Sequence, residues 1–190
     1  MAYTILLASG SPRRKELMDI LGIPYRVVDP SHSDETYPAG LEGSAIAVYL
    51  AAHKSRSYVG EVGEREILLT ADTVVWHEGS ELGKPAGREE AVAMLESLSG
   101  TTHQVYTGVC LRSPLKTSEF SVCTDVTFGQ LTREEIGYYV DRYEPYDKAG
   151  AYGIQEWIGH VGVERINGSY FNVMGLPVQK LYSEIKLLTL

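Results

Sequence analysis

The sequence contains little cysteine, no long apolar run and no excess of basic residues, and each shortage excludes a class of protein. The spacing of Cys110 and Cys123 fits neither a zinc site nor a C-x-x-C redox pair, so we expect core thiols, which would face each other only across a hairpin. The longest apolar run, residues 45–52, is far shorter than the ~20 residues of a membrane-spanning helix. The net charge of −8, from 17 Lys and Arg against 25 Asp and Glu, argues against nucleic-acid binding.

The histidines and the N-terminal segment give further expectations. The five histidines are not paired at metal-binding spacings, so a histidine-based metal site is not expected. Neither a basic leader nor a cleavage site precedes the first apolar stretch, so we expect a cytoplasmic protein. A chain of 190 residues, 44 % of them hydrophobic, can bury one core, and we expect one domain of two lobes.

Alternating strand and helix patterns predict a mixed α/β (α+β) sheet flanked by helices. Residues 4–8 are typical of a buried strand, and a helix follows at once, with Ser11 as N-cap, Pro12 at its first position and Gly22 at its end. Its buried face is expected to contain Leu17, Ile20 and Leu21. The Asn167-Gly168 pair predicts a hairpin turn. Other strands are predicted at 24–28, 66–77, 102–112 and 118–128, and polar loops at 29–41 and 144–155. Helices are predicted at 42–59, 88–98, 132–143 and from about 177, the third of them opening on a capping box of Thr132 and Glu135.

The turn between the first strand and the first helix is a candidate anion site. Backbone N–H groups at a helix N-terminus favour an anion, and Arg13 and Arg14 in the first turn add donors suited to phosphate. Ser11 is a third polar group there. The alternative is a capped helix with two solvated arginines, although cations at this end oppose the helix dipole.

Asp72 is the best candidate for a general base. It interrupts an apolar strand pattern, where a carboxylate is disfavoured unless it is paired, binds a metal or serves a reaction. The alternative is an aspartate at a strand end or bulge whose carboxylate accepts backbone hydrogen bonds.

Basic and polar residues elsewhere form the third group of candidates. Lys54 lies in a predicted helix, whereas Lys84 and Lys148 lie in loops that Gly and Pro open to close approach by a ligand. Each lysine could equally be solvated surface. Gln155 could bind a base edge or be an ordinary loop residue.

Glu35, next to Asp34, is a candidate metal ligand. Together with substrate phosphates and water, its carboxylate would suit Mg²⁺ or Mn²⁺, which prefer oxygen ligands. A solvated acidic turn is the alternative.

These segments together resemble the Maf family of nucleoside triphosphate pyrophosphatases. Six blocks match the family's motifs in order, over about residues 4–182, and the block that ends at Gln155 resembles the subgroup assigned to dTTP and UTP. The sequence departs from the family at Met18 and at Glu156-Trp157, and the second departure concerns the base pocket. The blocks are 7–17 (LASGSPRRKEL), 71–75 (ADTVV), 83–85 (GKP), 98–103 (LSGTTH), 147–155 (DKAGAYGIQ) and 166–170 (INGSY).

The resemblance implies a single Maf-like domain over 1–190, with an elongated, bent mixed sheet and a central cleft, as in the inosine triphosphate pyrophosphatases. It implies hydrolysis of dTTP or UTP to the monophosphate and pyrophosphate with a divalent cation, Mg²⁺, Mn²⁺ or Co²⁺, and a homodimer. Asp72 would be the proton acceptor, and Glu35 and Asp72 would hold the metal. The positions matched to substrate binding are Ser11, Arg13, Arg14, Lys54, Thr73, Lys84, Lys148 and Gln155, of which Arg13, Thr73 and Gln155 match selectivity positions.

Two alternatives remain open at this point. The same reaction could act on another nucleotide, such as CTP, 7-methyl-GTP or a modified pyrimidine nucleotide. The chain could instead be a nucleotide-binding regulator of septum formation, in which hydrolysis is incidental.

Overall fold

A computed structural model describes residues 3–30 and 34–189, which contain one seven-stranded mixed sheet flanked by helices. The strand order is β2-β1-β3-β5-β6-β7, and β4 pairs with β3 beyond the end of β1. The strands are β1 (Thr4–Ala8), β2 (Tyr25–Val28), β3 (Glu66–His77), β4 (Ser80–Leu82), β5 (Thr102–Arg112), β6 (Thr117–Phe128) and β7 (Val163–Asn167). The helices are α1 (Pro12–Leu21), α2 (Ser44–Ser57), α3 (Arg88–Leu98), α4 (Arg133–Tyr143), α5 (Trp157–Gly162), α6 (Tyr170–Met174) and α7 (Val178–Leu188). The predicted fold class is confirmed.

Strand β3 joins a parallel half of the sheet to an antiparallel half. It runs parallel to β1 from Glu66 to Leu69 and antiparallel to β5 from Leu68 to Trp76. On the β1 side, among the described residues, β3 has no pairing strand between Leu69 and Val75, where β4 begins to pair. This gap leaves one edge of β3 open at Asp72 and Thr73.

Apolar side chains cover both faces of the sheet. Ile5 and Leu7 of β1 and Ile67 and Leu69 of β3 point into the larger core, to which α1, α3, α4 and α7 contribute. Side chains alternate between the faces of a strand, so Val74 points the other way, into a smaller cluster with α2. The α2 residues in that cluster are Ile46, Ala47 and Leu50.

Helix α2 lies directly on β5 because Gly108 has no side chain. A Cβ atom at Gly108 would lie 2.2 Å from the carbonyl carbon and oxygen of Ala47, far closer than van der Waals contact. The contact is with helix backbone, which cannot move aside as a flexible side chain would. Gly108 therefore fixes how closely α2 approaches the sheet.

The capping signals placed the helix ends correctly. The Ser11 hydroxyl accepts a hydrogen bond from the Arg14 N–H, and Gly22 ends α1 in the left-handed region at φ 63°. Thr132 and Glu135 form a capping box at the start of α4. The prediction of the buried face of α1 was partly wrong, since Met18 is fully buried whereas Ile20 is 62 % exposed.

Three further predictions need correction. Asn167-Gly168 does not form a hairpin turn: β7 ends at Asn167, and α6 begins after its N-cap Ser169, whose hydroxyl accepts the Asn172 N–H. Cys110 pairs with Glu119 and Cys123 with Tyr106, so the thiols do not face each other, and Cys123 is exposed, not in the core.

The two predicted polar loops have different outcomes. Residues 29–30 and 34–41 form neither helix nor strand, and residues 31–33 of that prediction lie outside the described residues. The 144–155 segment is not simply polar, since it contains a 3₁₀ turn at Ala149–Ala151 and buries residues 150–154. No helix in the described part of the chain is long and apolar enough to cross a membrane.

A buried histidine should make stability depend on pH. His103 Nε2 lies 2.7 Å from the Tyr152 hydroxyl, and burial, with a smaller effect of His77, lowers the pKa of His103 to about 3. Because the folded pKa is below the unfolded value near 6.5, the unfolded state binds more protons between pH 6.5 and 3. The free energy of unfolding should therefore fall by up to ~1.4 kcal/mol per pH unit as pH is lowered through this window.

The test is chemical denaturation at several pH values. His103→Gln should flatten the pH dependence in this window, whereas His160→Gln, which changes an exposed histidine, should not. An unchanged slope in His103→Gln would show that His103 is not the responsible group.

Candidate active site

A cleft of about 730 Å³ opens at the uncovered edge of β3. The turn after β1, the first turn of α1, Lys54 of α2 and the C-terminal end of α6 form its walls. The segments around Lys84 and Gly150 close it, and the Gly150 N–H donates to the Gly83 carbonyl at 3.0 Å, which ties these two loops together. Segments distant along the chain thus meet at the open stretch of one strand.

Asp72 and Thr73 reach this cleft from opposite faces of β3. Consecutive side chains of a strand point to opposite faces, so Asp72 lies on the α2 side and Thr73 on the side of α1 and α6. Both line the cleft because no strand covers the β3 edge at this point among the described residues. The cleft therefore has two chemically different ends.

Carboxylates and lysines alternate at the Asp72 end. The Lys54 ammonium pairs with Asp72 and lies 3.0 Å from Glu35 Oε1, while Lys84 Nζ lies 2.9 Å from Glu35 Oε2. The Asp72 side chain is 14 % exposed and faces the cleft, so it is neither turned away from the cations nor sealed from water. Partial burial disfavours ionised Glu35, but hydrogen bonds and charge from Lys84 and Lys54 outweigh it and lower its pKa to about 2.

The two arginines of α1 are held by specific contacts. Arg14 Nε donates to the Gly175 carbonyl at 2.9 Å, and Arg14 Nη2 donates to the Thr73 hydroxyl at 3.3 Å. Burial lowers the pKa of Arg14, which the charge of Asp72 opposes. Arg13 pairs with Asp147 at 3.3 Å. The alternative of two solvated arginines therefore does not describe Arg14.

Lys148 is held inside a carboxylate network that the sequence interpretation missed. Its side chain is 9 % exposed and its Nζ lies 2.8 Å from Asp147 and 3.1 Å from Glu156. Glu156 also accepts a hydrogen bond from Tyr139, whose hydroxyl oxygen accepts the Gly153 N–H at 3.0 Å. The unusual Glu after Gln155 was the available signal for this network.

The other end of the cleft is more apolar. Gln155 lines it, and its Oε1 has no hydrogen-bond partner within the described residues. The apolar side chains that line the cleft and belong to the larger core, on the Thr73 face of the sheet, are Val75, Val105, Tyr152, Val173 and Met174. A ligand with an anionic part and a weakly polar part would match both groups of side chains.

The structure brings all ten predicted site residues to this cleft. Asp34, the neighbour of Glu35, does not line it. Ser11 lines the cleft and also caps α1. The predicted residues along the cleft are Ser11, Arg13, Arg14, Glu35, Lys54, Asp72, Thr73, Lys84, Lys148 and Gln155.

Carboxylate oxygens for a divalent cation are present but few. Among the described residues, no group of three or more His, Cys, Asp or Glu side chains is arranged to hold a metal ion. Glu35 and Asp72 both contact the Lys54 ammonium, so the two carboxylates border one positively charged position. Such a pair fits Mg²⁺-type binding, in which one or two carboxylates act together with substrate phosphates and water.

Known proteins share the sequence motifs and the fold. A family model described as Maf-like protein matches residues 4–188. The chain is 58 % identical over 186 residues to a dTTP/UTP pyrophosphatase of Bacteroides fragilis, covering 98 % of this chain and 96 % of that protein. A dTTP/UTP pyrophosphatase of Bacteroides thetaiotaomicron is 55 % identical over the same shares.

Fold similarity extends further than sequence similarity. The solved structure of the Staphylococcus aureus Ham1 protein covers 95 % of this chain and 99 % of its own, with a TM-score of 0.50 at 12 % identity. This similarity concerns the fold alone and agrees with the predicted architecture. The match to the family model and the identity to the relatives establish that the chain belongs to the Maf family.

Proposed function

We propose that this protein hydrolyses dTTP and UTP to the nucleoside monophosphate and pyrophosphate. The observation that carries the proposal is the Asp72 carboxylate, which pairs with Lys54 and faces a cleft that further cations and apolar side chains line. The names of the Bacteroides relatives support the same reaction. The protein carries a net charge of −8 and would as a whole repel a triphosphate. The cations gathered in this cleft therefore support a specific site for an anionic ligand.

Asp72 would accept the proton of the water that attacks the α-phosphorus. The P–O bond to the pyrophosphate leaving group then breaks, so water supplies the oxygen of the monophosphate and one proton. Lys54, paired with Asp72, would hold the carboxylate in place for this proton transfer. Phosphoryl transfer depends mainly on alignment and charge neutralisation, which a fixed set of cations provides.

The remaining predicted residues would divide between the two ends of the nucleotide. Ser11, Arg13, Lys54, Lys84 and Lys148, with the N-terminus of α1, would bind the phosphates. Arg14, Thr73 and Gln155 also line the cleft and would contact the sugar or the base. Arg13 also matches a selectivity position.

Glu35 and Asp72 would hold a divalent cation, Mg²⁺, Mn²⁺ or Co²⁺, when the triphosphate binds. The ion would neutralise phosphate charge and help to orient the anhydride. In the free protein, Lys54 and Lys84 form ion pairs with the Glu35 carboxylate and would compete with a cation for it. We therefore expect the cation to bind much more tightly with nucleotide than without it. Calorimetric titration of Mn²⁺ with and without a non-hydrolysable UTP analogue tests this proposal.

Lys84→Ala should weaken triphosphate binding about 10–100-fold, the loss expected for one charge-assisted hydrogen bond. Its side chain is 54 % exposed, so the melting temperature should change little. Lys180→Ala, which removes a similarly exposed lysine paired with Glu184 elsewhere on the protein, is the matched control. A large fall in melting temperature at unchanged affinity would contradict the role of Lys84.

A panel of triphosphates, assayed for pyrophosphate release with each metal, tests the proposed function. dTTP and UTP should be the best substrates, ahead of CTP, 7-methyl-GTP and modified pyrimidine nucleotides. Turnover below ~10⁻² s⁻¹ with tight nucleotide binding would instead favour the regulator of septum formation, because typical enzymes turn over at ~1–10³ s⁻¹.

We also propose a homodimer that acts in the cytoplasm and binds no nucleic acid. The intracellular nature of nucleoside triphosphates supports the location, and the acidic charge supports the absence of nucleic acid. Partly exposed aromatic side chains, including Tyr170, Phe171 and Tyr182, offer apolar surface for a second copy. Light scattering of the purified protein tests the dimer.

A further inference from the structure

A chain of hydrogen bonds leads from the cleft into the interior through hydroxyl groups. Arg14 Nη2 lies 3.3 Å from the Thr73 hydroxyl oxygen, which lies 3.0 Å from the Thr107 hydroxyl oxygen. Thr107 in turn lies 2.9 Å from the backbone carbonyl of Asn172. Arg14 and Thr73 line the cleft, whereas Thr107 is fully buried behind them and does not.

The chemistry of its two ends determines which group donates in each hydrogen bond of this series. The Asn172 carbonyl can only accept, so the Thr107 hydroxyl donates its one hydrogen to it. Thr107 must then accept from Thr73, which uses the one hydrogen of the Thr73 hydroxyl. Arg14 can only donate, and it donates to Thr73. Thr73 therefore has no hydrogen left for a ligand and can only accept.

The inner end of the chain is rigid. Asn172 is fully buried, and its Nδ2 donates to the Val105 carbonyl and the Thr124 hydroxyl, both at 3.0 Å. Its backbone N–H donates to the hydroxyl of Ser169, the N-cap of α6. These bonds hold the acceptor carbonyl in one position, so reversal of the hydroxyl chain would break the Thr107 bond to it.

We propose that Thr107 is a positioning residue for nucleotide binding, because it holds the Thr73 hydroxyl in the acceptor orientation. This inference rests on the proposed function. Beside the Arg14 donor, an acceptor-only Thr73 favours a nucleotide group that carries a hydrogen. On UTP and dTTP alike, that group is the imino N3–H of the base or the 3′-hydroxyl of the sugar.

Thr107→Val tests the proposal, because valine keeps the branched shape and removes the hydroxyl. The freed Thr73 hydroxyl can then rotate and compete as a donor. We expect UTP affinity, and with it KM, to worsen roughly 3–10-fold, with little change in kcat. Thr107→Ser restores the hydrogen-bond chain and should restore UTP affinity.

The nature of the donor is identified with two analogues. If Thr73 accepts the imino hydrogen, 3-methyl-UTP should bind wild type and Thr107→Val alike, whereas 3′-deoxy-UTP should show the same loss as UTP. If it accepts from the sugar 3′-hydroxyl, the two analogues should exchange these results. Either pattern supports the proposal, whereas equal losses for all three ligands, or no loss for any, would overturn it.

Thr70→Val is the matched control for stability. Thr70 is also a fully buried threonine, on β3 beneath α2, whose hydroxyl donates to a carbonyl, that of Ala51 at 2.7 Å, but it does not line the cleft. Thr70→Val should lower the free energy of unfolding about as much as Thr107→Val does. It should leave the ratios between the affinities for the three ligands unchanged. If wild type releases no pyrophosphate, the proposed function fails, whereas the binding titrations judge the role of Thr107 independently of turnover.

Discussion

Asp72→Asn is expected to lower the turnover number for UTP by ~10²–10⁴-fold, the usual loss when a positioned base is removed. The amide has nearly the shape of the carboxylate but cannot accept the proton of the attacking water. Lys54 keeps Glu35 as a partner at 3.0 Å, so folding should be little affected. Steady-state assays of pyrophosphate release with the melting temperature measured in parallel provide the test.

Asp141→Asn is the control for this substitution. Asp141 pairs with Arg88 on the surface, outside the cleft, so its loss should leave turnover unchanged. Nucleotide affinity of Asp72→Asn should change only modestly, since the phosphate-facing cations remain. Turnover near that of wild type in Asp72→Asn would remove Asp72 from the proposed role.

Gly108→Ala should be the most damaging of the small substitutions to stability. The added methyl group would lie 2.2 Å from the Ala47 backbone, so α2 must move away from the sheet and take Lys54 with it. We expect a loss of about 3 kcal/mol or more in the free energy of unfolding, at the upper end for overpacking. Urea denaturation measures this loss.

Gly137→Ala gives the matched comparison. Gly137 lies inside α4, and the nearest atom to an added Cβ is a side-chain nitrogen of Arg88 at 3.9 Å. Alanine should therefore stabilise the protein by up to ~1 kcal/mol through helix propensity alone. Equal stability of Gly108→Ala and wild type would mean that the approach of α2 to β5 is not set by Gly108.

Local signals predicted the parts of the fold that local physics determines. Ser11, Gly22 and the Thr132 capping box act within one helical turn, and each placed a helix end correctly. Asn167-Gly168 failed because the same backbone freedom that suits a hairpin also suits a strand-to-helix turn. Packing against β6 decides which element comes after the turn, and the pair itself does not encode that packing.

The candidate site was predictable where charge conflicted with its surroundings. Asp72 stood out because a carboxylate within an apolar strand needs a partner, and the structure supplies Lys54. Thr107 and Asn172 gave no such signal, since neutral polar residues in strands and helices are common. Their role depends on contacts between residues 65 apart in the chain, and only the fold brings them together.

Because β3 joins the parallel and antiparallel halves of the sheet, a nucleotide bound at β3 would affect the stability of both halves. Helix α1 lies on the parallel half, and the 147–155 segment packs over the antiparallel half. Both line the cleft and would contact the same ligand. A bound triphosphate would then contact both halves and raise the free energy of unfolding by RT ln(1 + [L]/Kd). The protein should therefore resist heat and proteolysis better when nucleotide is bound.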